Sequence, residues 1–139
     1  MPYDKMDYIT VASLGNSSDF GNLTSAKQLG SEGPSSGVRG TAPGGQSNLT
    51  DIDYWTFASL GNAADFGDLT EGRHAGPAGM SNGTRGVMAG GSGETDTIDY
   101  ITIAATGNAT DFGNMTSGRT ALTGCSSDPG RGIIWGGSD

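Results

Sequence analysis

The residues able to do chemistry in this chain recur at fixed intervals. Asp7, Asp53 and Asp99 share one position, and Asp19, Asp65 and Asp111 share another. Lys27, Arg73 and Arg119 occupy a third, and Arg39, Arg85 and Arg131 a fourth. Each step is 46 residues, and these two basic sets hold six of the seven Lys and Arg side chains. Two chemistries are open to such a pattern. Arginine forks can pair with carboxylates and with turn carbonyls through charge-assisted hydrogen bonds, tying neighbouring units together. The same groups, ringed around a common mouth, could bind a sugar or a metal ion. A catalytic residue is seldom needed several times around an axis, so strict repetition favours the structural role. We assign no catalytic, cofactor-binding or metal-binding residue.

Other candidates are weaker. Asp-Phe-Gly also occurs in kinases, where its Asp holds magnesium. Here it appears three times without a Gly-rich ATP loop or catalytic loop, so a turn role fits better: Asp bonds nearby amides and Gly supplies a positive φ. The calcium spacing D-x-[DN]-x-[DN]-G is missing. His74 is the only histidine, with Gln28 and Thr120 as its counterparts, and reads as a surface residue. Zinc would need several His or Cys ligands. Cys125 stands where the other copies have Gly33 and Gly79, and one cysteine allows no intrachain disulfide. Asn16, Asn22, Asn48, Asn82, Asn108 and Asn114 each begin an N-x-S/T triplet but read as turn and strand residues. Trp55 and Trp135 break the repeat; each is either packing filler or, if exposed, a stacking platform for a sugar ring or a protein.

The elements that must position these residues have to work with a thin core. The chain has 139 residues, 26 of them Gly, with 33% hydrophobic residues and a mean hydropathy of -0.35. A repeat array that buries a little surface regularly suits that composition. The net charge of -8 argues against nucleic acid and against an anionic membrane surface. No run approaches the ~20 apolar residues that span a bilayer. The start, Met1-Pro2-Tyr3-Asp4-Lys5, lacks the apolar stretch of a signal peptide, and a complete short reading frame is the expectation.

The period of 46 also holds for Gly44-Gly45, Gly90-Gly91 and Gly136-Gly137, dividing the chain into repeats 6–51, 52–97 and 98–139. Each reads as four short strands. In the second, Ile52–Ala58 is rich in β-branched and aromatic residues. A Gly61-Asn62 turn leads to a strand over Ala63–Thr70. A small-residue strand follows over Arg73–Met80, then a Ser81-Asn82-Gly83 hairpin turn. Thr84–Ala89 is the fourth strand. The first copy carries Thr41-Ala42-Pro43 where others have Val87-Met88-Ala89, so its strand should be short or at an edge. The expected fold class is all-β.

The order of elements resembles a Kelch-type β-propeller: an apolar strand ending in Gly-Gly (Arg85–Gly91), an aromatic strand (Ile98–Ala104), then Thr106–Thr116 and Ser117–Arg119. It departs where Phe20, Phe66 and Phe112 replace the tryptophan of the last Kelch strand. The wording D-Y-I-T-I-A-x-x-G-N-A-x-D-F-G-x-L-T, carried with few changes by all three copies, resembles units in tail and other virion proteins of marine bacteriophages, including cyanophages. That resemblance implies a virion-associated, non-enzymatic structural or binding module, located in the virion or in host cytoplasm during assembly. The alternative is a lectin-like carbohydrate-binding propeller.

The copies are cut in mid-blade, leaving two whole blades and two halves. Propellers close with about four to eight blades. A homodimer forming one six-bladed ring is therefore expected, with other virion proteins or a host surface glycan as further partners. No cofactor is expected. Variable stretches at Ser31–Ser36, Gly76–Gly83 and Leu122–Gly130 read as recognition loops.

Overall fold

The computed structural model describes residues 3–27, 32–91, 93, 95–127 and 130–139. Gln28, Ser31 and residues 128–129 of the stretches named above lie outside them. The strands are β1 (Tyr3–Tyr8), β2 (Ser18–Lys27), β3 (Arg39–Pro43), β4 (Asp51–Thr56), β5 (Ala64–Asp68), β6 (Ala78–Ser81), β7 (Arg85–Ala89), β8 (Thr97–Thr102), β9 (Thr110–Asn114), β10 (Thr120–Ser127) and β11 (Arg131–Ser138). The fold is all-β. Four antiparallel sheets follow one another along the chain: β1-β2, β3-β4-β5, β6-β7-β8-β9 and β10-β11. The period governs the geometry as well as the sequence. Pairings Thr41↔Tyr54 and Val87↔Tyr100 are the same contact one unit apart.

The pairs β1–β2, β4–β5 and β8–β9 each meet at a repeated β-bulge. The register slips between Met6 and Asp7, between Ile52 and Asp53, and between Ile98 and Asp99, opposite the Asp-Phe-Gly motif. A bulge adds one residue and re-aims its side chain. Gly67 sits at φ 140, and its amide donates to Asp65 Oδ1 at 3.0 Å. Gly113 repeats this at φ 136, with 2.9 Å to Asp111 Oδ1. The local turn expected of Asp-Phe-Gly is thus a bulge clamp. Between Asp and Gly, Phe66 turns inward and meets Tyr54 edge-on, as Phe20 meets Tyr8 and Phe112 meets Tyr100.

The core lies between the three- and four-stranded sheets. Ile52, Phe66 and Leu69 from one face Met88, Ile101 and Ile103 from the other. Two copies of the same phenylalanine therefore differ in environment: Phe66 is 3% exposed and Phe112 52%. Truncating Phe66 to alanine should cost about 3–5 kcal/mol, whereas Phe112→Ala in an isolated chain should cost less than ~1 kcal/mol. Urea unfolding of the two variants compares them directly.

The strand with Pro43 lies at the edge of its sheet, one of the two outcomes expected of it, and it is not shortened: β3 pairs with β4 over its whole length, with Pro43 opposite Ile52, and among the described residues the isolated Ser35–Gly40 bridge lies beyond it. The Gly44 amide donates to Asp51 of β4, so alternation points the proline nitrogen away from that partner, where no ladder bond is lost. Next, Arg73–Met80 is not one strand. Only Ala78–Ser81 is extended, because Ala75 and Gly76 turn with φ of 59 and 64. Finally, Gly76–Gly83 and Leu122–Gly130 are not simply loops, since they carry β6 and most of β10.

The Ser35 segment, β6 and β10 are joined side by side. Ser126 Oγ donates to the Ser81 carbonyl at 2.7 Å, and Ser81 Oγ donates to the Ser35 carbonyl. Glu32 reaches two units onward, accepting from Thr123 Oγ1 at 2.7 Å and from the Gly124 amide at 3.2 Å. The tips between β4 and β5 and between β8 and β9 grip the preceding sheet through main-chain atoms. Gly61 and Ala63 amides donate to Phe20 and Asn22 carbonyls, and Gly107 and Ala109 amides to Phe66 and Asp68.

Candidate functional site

The repeated aspartates Asp53 on β4 and Asp99 on β8 are the centre of the charged network. Asp99 on β8 is fully buried. Its Oδ2 accepts from Arg73 Nη2 at 3.1 Å and from the Thr70 amide at 3.2 Å; its Oδ1 accepts from Thr70 Oγ1. Arg73, also fully buried, donates through Nη1 to the carbonyls of Gly90 and Thr97. One guanidinium therefore joins a carboxylate and two strand-end carbonyls of the following unit. A buried charge is tolerated only when paired and hydrogen-bonded in this way.

One unit earlier the same lock uses a lysine. Lys27 Nζ donates to the Gly44 carbonyl at 2.7 Å and to Asp51 Oδ2 at 3.1 Å, with Asp53 Oδ2 at 4.0 Å. Thr24 supplies its amide and hydroxyl to Asp53. The ammonium is a point charge, so it reaches the nearer Asp51 instead of spanning to Asp53 as the arginine fork does. In the third copy Arg119 Nη1 keeps the carbonyl contact, to Gly136 at 3.0 Å, and meets no carboxylate among the described residues. Asp7 is exposed and, among the described residues, receives a 3.4 Å bond from Ser17.

The second basic set departs from the expected Arg–Asp pairing, although Arg39 Nη1 keeps an expected carbonyl contact, donating to Ile103 at 3.2 Å. Arg39 lies over the Tyr54 ring at 4.7 Å and Arg85 over Tyr100 at 4.6 Å. A stacked guanidinium gains from the ring quadrupole and shields one aromatic face. This role was missed from sequence, although the Arg-to-Tyr spacing also repeats. Arg131 is exposed. Asp19, Asp65 and Asp111 are exposed as well, and the last two hold their bulges. The twelve positions thus do not converge on one mouth. Asp53 and Asp99 are turned into sheet-to-sheet struts with no solvent-facing oxygen to offer a ligand.

Glu71 lies beside Arg73 at 3.7 Å. The Thr95 hydroxyl, helped by Thr97 and Arg73, holds its carboxyl below the usual range against the opposing effect of desolvation. Such a carboxylate adds stability at neutral pH that is lost as pH falls through its lowered pKa. Among the described residues no three His, Cys, Asp or Glu side chains stand together at metal-binding distance. His74 is half-buried, and Cys125 is exposed. No helix of the described residues is long and apolar enough to cross a membrane.

Two concavities remain. A groove of about 290 Å³ runs between the last two sheets, with Ile98, Phe112 and Ile134 among its apolar walls. A second, of about 220 Å³, is lined by Tyr54, Trp55, Ser59 and Asn62. Trp55 is half-buried because its ring covers Gly40, where a Cβ would stand 2.6 Å from the indole. Trp135 is 46% exposed. No known protein family and no curated sequence matches the chain.

Proposed function

We propose that this protein is a non-enzymatic structural and binding module: a Kelch-like β-propeller whose sheets are successive blades, six-bladed as a homodimer, serving in the tail or attachment apparatus of a phage virion. The observation that carries the scaffold reading is the fate of the repeated charges. Arg73, Asp99, Lys27 and Asp53 spend their hydrogen-bonding capacity on joining one sheet to the next. Hydrogen bonds joining the Ser35 segment to β6 and β6 to β10, with Glu32 reaching two units onward, support the propeller geometry. The virion assignment rests on the repeat wording alone. Mass spectrometry of purified virions encoding this chain should find it at structural copy number; its absence from the particle defeats that role.

A second reading, a lectin-like module, draws on the concavity beside Trp55. An indole face with Asn and Ser nearby suits a sugar ring. On a glycan array the wild-type protein should bind weakly, and Trp55→Ala should abolish that signal. An array with no glycan above background removes the lectin reading.

A further inference from the structure

We infer that a second copy of this chain inserts the end of its β1 strand and the three residues that follow, Met6–Val11, into the groove beside β11. The inference rests on the propeller reading above and names the contacts that would close its ring. The groove is an unfinished copy of the core. Ile98, Phe112 and Ile134 on its walls stand 46 residues beyond Ile52, Phe66 and Met88. In the finished core those three are covered by Ile101 and Ile103, which are 2% and 1% exposed. The residues in the same register one unit past the third repeat are Ile9 and Val11, and these are 62% and 92% exposed. The groove lacks two aliphatic side chains, and the opposite end of the molecule presents them.

Polar groups complete the same junction. Arg119 holds its Gly136 carbonyl but lacks the carboxylate that Arg73 finds in Asp99. Asp7 is the exposed carboxylate of matching register. Arg131 is the unstacked member of the set in which Arg39 covers Tyr54 and Arg85 covers Tyr100, and Tyr8 is the tyrosine of matching register.

Main-chain geometry agrees. A Cβ on Gly21 or Gly67 would collide with the carbonyl of Gly61 or Gly107, at 2.2 and 2.5 Å, whereas Gly113 has nothing within 4 Å. The glycine in register to cover Gly113 is Gly15. Next to it, Asn16 matches Asn62 and Asn108, whose Oδ1 atoms accept from Asn22 and Asp68 amides. Docked in the observed register, β11 would add β1 as a third strand with Ile133 opposite Tyr8. In a two-fold ring each copy gives and receives once, so no sheet edge is left over at either junction.

Charge exchange tests the contact. Wild-type protein should sediment at twice the 14.0 kDa chain mass. Asp7→Arg alone and Arg119→Asp alone each place like charges at both junctions, so each should sediment as a single chain with its far-ultraviolet sheet signal intact. Mixed together, one junction regains the natural pair and the other a reversed pair, and the doubled mass should return. Because a reversed pair fits a buried site imperfectly, a cross-link supplies an independent reading. With Cys125→Ser as background, Tyr8→Cys and Ile133→Cys should form a disulfide between chains on mild oxidation. A single-chain mass for wild type overturns the inference. So does a doubled mass that both single variants retain without cross-linking. The propeller reading is checked separately in one chain: Glu32→Cys with Thr123→Cys, in the same background, should cross-link within the chain whether or not copies associate.

Discussion

Replacing Arg73 by methionine is expected to destabilise the protein by about 3–5 kcal/mol. The side chain and Asp99 are both fully buried, so the variant leaves a carboxylate without its counter-charge and the Gly90 and Thr97 carbonyls without a donor. Desolvating an ion is the dominant cost, and the methionine stem replaces only the packing. Two controls separate charge from volume. Lys27→Met should cost less, on the order of 1–2 kcal/mol, because its partner Asp51 is 30% exposed and water can take over. The double variant Arg73→Met with Asp99→Leu should recover part of the loss but not all, since the Thr70 amide and hydroxyl then lose their acceptor. Urea denaturation of the cycle measures each step. A single Arg73→Met variant within ~1 kcal/mol of wild type would deny the pair its role as the main strut.

A second large effect is expected from one methyl group. Gly67→Ala should destabilise by roughly 3 kcal/mol or more, combining a backbone held at φ 140 with a Cβ placed 2.5 Å from the Gly107 carbonyl. The contact atoms are backbone, which cannot rotate away. Relief requires the tip of the next unit to lift, which breaks the Gly107-to-Phe66 and Ala109-to-Asp68 bonds. Gly113→Ala isolates the conformational part: its φ is 136 but its surroundings are open. In an isolated chain it should cost only about 1–2 kcal/mol. Equal losses for the two variants would show that the close approach between sheets contributes nothing.

Much of this architecture was legible because the period acts on side-chain types that specify strands. Ile52–Ala58 contains the β-branched and aromatic residues of β4, and the Asp-Phe-Gly motif carried its own turn chemistry. Strict repetition also pointed to pairing for Arg73 and Asp99, and the two side chains meet. Less legible was anything decided by neighbours in space. Ala78–Ser81, with its small residues, reads both as the end of a strand and as part of a variable loop, and it forms β6 because β7 and β10 flank it. Pro43 looked disruptive, but the direction its nitrogen faces depends on register, which composition does not reveal. Arg39 and Arg85 were grouped with the aspartates by charge, whereas both stack on tyrosine rings. Burial of Asp53 and Asp99 likewise depends on how closely one sheet approaches the next.

The clasp between consecutive sheets has an evolutionary corollary. It is made by amides and carbonyls, with an asparagine side chain as the one addition. Main-chain atoms are common to every amino acid, so the joint reads glycine and asparagine at fixed places and ignores the letters beside them. Ala58, Ser59 and Leu60 lie exposed in such a tip. Mutation can accumulate there, or a randomised library can be installed, while duplicated modules continue to mate with one another.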